Sequence, residues 1–260
     1  MWVVIAGALV IGLSLGLLGS GGSILTVPIL TYAVGQPDKL AIAGSLAIVG
    51  SIALIGSVPY ALRRDVVWRS VLWFGLPGMA ATVAGSQLAA YLPGALQLTI
   101  FACVMLVAAT RMLRGGAAQA AQGAATRLPQ RRRYIVRDGM AVGLLTGVVG
   151  IGGGFLIVPA LVLLGGLAMR QAIGTSLVVI TLNAYSGFIK HALQLAALNQ
   201  KLDWMVIAQF IVIGGSGAVA GNLLGARLPQ QRLKQGFAVM LLLMGAFMLW
   251  REAPRLWGAS

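Results

Sequence analysis

Gly19-Ser20-Gly21-Gly22-Ser23 and Gly150-Ile151-Gly152-Gly153-Gly154 decide how this chain is read. Each stretch lies between two short apolar runs, and each is followed by a run containing Val-Pro, at Pro28 and Pro159. Around them, Gly12–Leu30 aligns with Gly143–Leu161 at an offset of 131, with 10 identities in 19 positions. The same offset pairs Ala41–Leu46 with Ala172–Leu177. After a five-residue insertion the offset becomes 136, pairing Trp68 with Trp204 and Leu92-Pro93 with Leu228-Pro229. The chain therefore reads as two homologous repeats, residues 1–113 and 138–260, joined by a basic stretch at 114–137.

Composition sets the environment of these repeats. Of 260 residues, 59% are apolar and 9% charged, whereas a soluble domain carries about 25% charged residues. A water-facing surface cannot be built from so few charges, which excludes a soluble enzyme, a nucleic-acid module and a disordered tail. The 36 glycines fit close helix packing in a bilayer. The fold class expected is an all-α, polytopic integral membrane protein. Apolar runs fall at Trp2–Leu18, Ile24–Val34, Ala41–Leu62, Ser70–Leu92 and Ala95–Leu113. In the second repeat they fall at Gly139–Gly150, Phe155–Leu167, Ala172–Leu193, Trp204–Ala226 and Gly236–Trp250. A span needs about 20 apolar residues, so each repeat reads as a Gly-broken, re-entrant pair followed by three spanning helices. The first run lacks a basic n-region and recurs later in the chain, so it is expected to be a span rather than a leader.

The net charge of +14 is carried in loops, with seven of 19 basic residues between Arg111 and Arg137. That bias marks the 114–137 linker as cytoplasmic and the protein as multi-pass in the cell (inner) membrane. Nucleic acid is not an expected partner, since neither a recognition fold nor interleaved aromatics accompany the charge. Cys103 is the single cysteine, which excludes a disulfide framework and a cysteine-built metal site. No cofactor and no metal are expected. The expected partners are a small anionic substrate and membrane lipid, and a homodimer is left open.

Internal duplication points to a secondary transporter with its site near the midplane. If each Gly-linked pair returns to its starting side, the repeats are inverted; if each pair is one broken crossing, they are parallel. Loop charge does not separate the two, because both place equal numbers of basic residues inside. The 33 residues from Trp2 to Val34 are long for one crossing, which favours the return pair and inverted repeats.

Consecutive glycines let a ligand approach the backbone closely. The helix that restarts after them presents free N–H groups and the positive end of its dipole, which together form an anion site. On this reasoning Ser20, Gly21, Gly22 and Ser23, with Gly152, Gly153 and Gly154, are the candidate substrate-binding residues. Ser45 and its counterparts Thr175 and Ser176 sit at the start of a full-length apolar run. Their hydroxyls would either cap that helix or donate to an oxyanion. Asn183, about two turns further on, would face the same cavity or bond across helices. Gly217, Gly221 and Gly225 form a GxxxGxxxG stripe, read as a packing face. Arg63 and Arg64 read first as a cytoplasmic anchor, with attraction of anions to the mouth as the alternative.

By these residues the chain resembles the TauE/SafE sulfite exporter family, also called the toluene-sulfonate uptake permease family. The second repeat carries the resemblance through Gly150–Gly154, Val158-Pro159, Ala172–Leu177, Asp203-Trp204 and Gly225–Leu228. The first carries it through Gly21-Gly22, Val27-Pro28, Ala41–Leu46, Tyr60–Arg64 and Trp68. It departs at Ser20 and Ser23, where the pattern has Ile and Gly, and at Ala43-Gly44, where it has Gly-Thr. The resemblance implies transport of small sulfur-containing anions such as sulfite, sulfoacetate, thiosulfate or sulfonates.

An enzyme is not expected. Gly214-Gly215-Ser216-Gly217 spells an intramembrane-protease motif, but the only histidine, His191, precedes it near an interface. Alternating access is the mechanism expected, with a passive anion channel of the same architecture as the alternative. Asp38, Asp65, Asp138, Asp203 and Glu252 all fall at or near segment ends. Without an intramembrane carboxylate pair to couple an ion, the inside-negative potential favours export.

Overall fold

The structure is a computed structural model that describes residues 2–30, 34–89, 94–121, 132–149, 154–197 and 202–256. Every regular element among them is helical. Helix α1 (Trp2–Leu18) stops at Gly19, whose φ of +78° only glycine adopts freely. The Gly19 N–H donates to the Leu15 carbonyl at 2.8 Å, which closes the last turn of α1. Helix α2 (Gly21–Pro28) follows at once and widens into a π turn through Leu30. Pro37, its φ already set at −56°, leads into α3 (Asp38–Leu62).

A short α4 (Trp68–Ser70), a π turn (Val71–Gly75) and α5 (Leu76–Ala89) follow in succession. The π turn precedes Pro77, whose ring would clash with the carbonyl four residues back in a regular helix. Then come α6 (Gly94–Ala121), α7 (Arg132–Val149), α8 (Gly154–Leu163) and α9 (Met169–Ala197). Helix α10 (Trp204–Arg227) is capped by Asp203, whose carboxylate accepts from Met205 and Val206 N–H at 3.1 Å each. Helix α11 (Gln230–Leu256) starts directly after Pro229.

Helices α3 and α9 begin three residues earlier than the apolar pattern places them. Polar residues Asp38, Lys39, Arg170 and Gln171 are accommodated in first turns, where hydropathy alone would end the run. Ser45, Thr175 and Ser176 therefore lie inside helices, and none of them is a cap.

Three described helices are long and apolar enough to cross a membrane: Leu40–Leu62, Met169–Ile189 and Trp204–Arg227. Large apolar side chains such as Leu54, Val212, Leu243 and Trp250 are exposed. An outer surface of that chemistry suits lipid rather than water.

The chain forms two compact units. Unit 1 comprises Met1–Val71 and Arg170–Leu228; unit 2 comprises Leu72–Met169 and Pro229–Ser260. Within unit 1, α2 folds back along α1: Gly22 rests on Ile11 and Leu15, and Ile29 lies over Gly7. Helices α1 and α2 thus run antiparallel. Helix α10 runs parallel to α1, with Gly12 against Gly214 and Gly16 against Ala218, each glycine touching a backbone carbonyl. Gly217 and Gly221 continue that contact, so the GxxxGxxxG stripe is a packing face. Helices α3 and α9 run antiparallel, pairing Leu46 with Gly187, Gly50 with Ala184, Gly56 with Leu177 and Tyr60 with Gly174. At their middle, Ser51 Oγ and Tyr185 Oη share a hydrogen bond of 2.9 Å. Ile11, Leu15, Ile48, Ile52 and Phe210 fill the core of this unit.

Within unit 2, α7 lies parallel to α5, with Gly139 on Phe74 and Gly143 on Gly78. Thr82 Oγ1 donates to the Gly78 carbonyl at 2.8 Å and lies 3.1 Å from that of Gly143. Met105, Met112, Leu161 and Phe237 are fully buried here.

Candidate functional site

The first glycine break is built at the meeting of α1, α2 and α9. Gly19 turns the chain so sharply that a Cβ there would lie 2.9 Å from Ser176 Oγ and 3.0 Å from Ile173 Cα. This close approach brings the first turns of α9 against the break, and Ser176 Oγ lies 3.3 Å from the Gly19 carbonyl. Ser20 follows with a solvent exposure of 0%. It occupies the position before α2 where a serine normally caps, yet its side chain makes no capping bond. Its Oγ is buried without a partner.

The other predicted hydroxyls are committed to backbone. Ser23 Oγ donates to the Ser20 carbonyl at 2.7 Å, and Ser45 Oγ donates to Ile42 O at 2.7 Å. Ser176 Oγ donates to Ile173 O at 2.8 Å. Thr175 Oγ1 accepts from the Val67 N–H at 3.0 Å, tying the loop after α3 to α9. The contrast matters because a buried hydroxyl without a partner costs about 1–3 kcal/mol. Ser20 makes no hydrogen bond through its hydroxyl, and Thr175, which only accepts, keeps its O–H donor; these two of the set are still able to serve a ligand.

Gly21 opens α2; Ser23 N–H donates to the Ser20 carbonyl at 3.3 Å, while the Gly21 and Gly22 N–H groups have no intrahelical acceptor and stand at the positive end of the dipole. The missing side chain of Gly22 points the other way. A Cβ there would strike the Ile11 carbonyl and lie 2.8 Å from Leu15 Cγ. Gly22 thus lets α2 lie against α1. The second break is described only at Gly154, which opens α8 and is buried. Gly152 and Gly153 lie outside the described residues. Asn183, two turns along α9 from Ser176, has its Oδ1 buried without a partner, next to Ala184 at the α3 crossing.

A polar group not singled out as a site in the sequence surrounds the same end of α1. Tyr60 Oη donates to the Gly16 carbonyl at 3.2 Å. Arg63 Nη1 donates to Asn222 Oδ1 at 3.2 Å, and Arg170 Nη2 donates to the carbonyls of Ala226 and Leu228 at 2.6 and 3.3 Å. Arg63 reads in the sequence as a cytoplasmic anchor, or as a cation that draws anions to the mouth, and not as a partner of Asn222. Asn222 was hidden inside the glycine stripe, although an amide within an apolar span is itself a functional signal.

The sulfite exporter TauE/SafE family model matches residues 4–248. A probable membrane transporter protein of Xylella fastidiosa is 33% identical over 93% of this chain and 92% of its own length. One from Haemophilus influenzae is 26% identical over 90% of this chain and 92% of its own. The Bacillus subtilis protein YunE, also a probable membrane transporter, is 25% identical over 93% and 96%. No solved structure matches the chain.

Proposed function

This chain belongs to the sulfite exporter TauE/SafE family, and from that premise we propose that it exports small sulfur-containing oxyanions across the cell (inner) membrane by alternating access. Sulfite, thiosulfate, sulfoacetate and other sulfonates share what the site requires, a compact anion rich in hydrogen-bond acceptors. The observation that carries the reading is Ser20: wholly buried, unpaired at Oγ, and standing where α2 begins. An anion there would receive the Ser20 hydroxyl together with the first N–H groups of α2. Fixed partial charges of this kind hold an anion loosely enough to release it, which a transport cycle requires.

Two observations support inverted repeats. Helix α2 returns along α1, and α3 runs antiparallel to α9, the helix aligned with it at the offset of 131. Helices related by repetition that run in opposite directions are what a pseudo-two-fold axis in the membrane plane produces. Charge favours export as the direction of transport. Moving each elementary negative charge out of a cell at −100 mV is favoured by about 2.3 kcal/mol, and export needs no coupled cation.

The test is flux from proteoliposomes loaded in turn with sulfite, thiosulfate, sulfoacetate, taurine and sulfate. Ser20→Ala should lower the flux of the preferred anion about tenfold while leaving the protein monodisperse, since it removes one hydrogen bond to a charged ligand. Undiminished flux in that variant refutes the site. Unitary currents in a planar bilayer would replace alternating access with a channel. Gly22→Leu is no test of ligand contact, because its side chain would break the α1–α2 packing.

A further inference from the structure

At the end of unit 1 where α3 and α10 finish and α9 begins, buried hydrogen-bond donors lack acceptors. Asn222 is 1% exposed. Its Oδ1 takes the Arg63 guanidinium, which fixes the amide orientation, because a guanidinium can only donate. The Nδ2 donor is left buried and unpaired. Arg170 spends Nη2 on Ala226 and Leu228, and its Nε donor is likewise buried and unpaired. Ala226 is one helical turn beyond Asn222, so Arg63 and Arg170 both bond to the last turns of α10.

Charge at this end has one dominant sign. Arg63, Arg170 and Asp65 all act electrostatically on the Tyr60 hydroxyl. Arg64 and Arg227 add two further exposed cations, against the single carboxylate of Asp65. Arg170 also occupies the last carbonyls of α10, so the negative end of that helix is already satisfied. Exposure falls inward from Arg63, which is exposed, through Arg170, which is half-buried, to Asn222. Gly221, beside Asn222, packs on Leu17, three residues before Ser20.

We propose that Arg63, Arg170 and Asn222 form a second oxyanion site, a loading site that holds the anion on the solvent side of the Ser20 break. The ligand class is a sulfur or phosphorus oxyanion, either free in solution or as the phosphate of an anionic lipid. The name "loading" rests on the transport reading, while the site stands on its own geometry. With inverted repeats, Arg63 and Arg170 fall on the side of the basic linker, which is cytoplasmic and is the side from which an exporter takes its substrate.

The experiment uses the full chain in phosphatidylcholine nanodiscs and measures equilibrium binding of radiolabelled thiosulfate. Two binding steps are expected in the unaltered protein. Asn222→Asp, which turns the free donor into a repelling oxygen, and Arg63→Gln, at an exposed position that folding tolerates, should each weaken the same step about tenfold. Ser20→Ala should weaken the other step. Repeating the titration with phosphatidylglycerol identifies the occupant. Loss of the Arg63-dependent step there assigns it to lipid phosphate, and persistence assigns it to the free anion; either result supports an oxyanion site. A single step, or two steps indifferent to both Arg63→Gln and Asn222→Asp, overturns the proposal. Flux without a second step removes this site and leaves transport intact. An Arg63-dependent step without flux of any anion removes the transport reading and leaves the site.

Discussion

Gly12 on Gly214 in unit 1 and Gly143 on Gly78 in unit 2 are the same contact made twice. Gly12 and Gly143 align at the offset of 131, and Gly78 and Gly214 at the offset of 136. In both places the first helix of one repeat lies parallel against the fourth apolar segment of the other, close enough that glycine touches a backbone carbonyl. What differs is the decoration. Unit 2 seals its contact with Thr82, which reaches the carbonyls of Gly78 and Gly143. Unit 1 has Ala218 at the aligned position and Gly217 where unit 2 has Ala81, while Gly221 aligns with Gly85. Beside that seam stand Tyr60, Arg63, Asn222 and Arg170. Duplication copied the backbone contact, and the side chains around it diverged into a polar, cationic end in unit 1.

That comparison can be broken most directly at its shared element. Gly12→Leu and Gly143→Leu should each destabilise the protein by about 3 kcal/mol or more, because the new side chain meets backbone that cannot yield. Both should lower the thermal midpoint in detergent by similar amounts; a large loss in one and none in the other would show that the contacts are not equivalent. Gly19→Ala tests what is particular to unit 1. A side chain at positive φ costs about 1–2 kcal/mol, and here it also presses on Ile173 and Ser176. A total near 2 kcal/mol is expected, read from the same melting curve, and an unchanged midpoint would contradict the described turn. Tyr185→Phe should cost about 1 kcal/mol by removing the bond to Ser51. A double-mutant cycle with Ser51→Ala isolates that coupling, and its absence would argue against the α3–α9 register. Thr82→Ala, which makes unit 2 resemble unit 1, should have the smallest effect, about 0.6 kcal/mol.

Much of the fold was legible because its signals are backbone signals. The twin glycine stretches, the offsets of 131 and 136 and the GxxxGxxxG stripe mark where helices stop or touch, and α1 and α10 follow the apolar runs closely. The starts of α3 and α9 were less legible, since polar first turns look like loop. The site divided along the same line. Ser20 could be named from the sequence, but nothing in the sequence distinguishes it from Ser23, Ser45 or Ser176. Only hydrogen bonding shows that those three are spent on carbonyls while Ser20 is not. Asn222 and Arg170 were missed for a related reason: they lie 52 residues apart and acquire meaning only where α10 ends beside the start of α9.

Taken alone, the amino-acid order determined that this is a membrane-embedded, duplicated, helical chain with two glycine-rich stretches in matching positions. Those properties depend on composition and local backbone freedom, which are additive along the chain. Tertiary structure decided which way α2 turns, which hydroxyl stays unpaired, and which distant cations share one end. These depend on contacts between segments far apart in sequence, and a contact is a property of pairs that no single stretch contains.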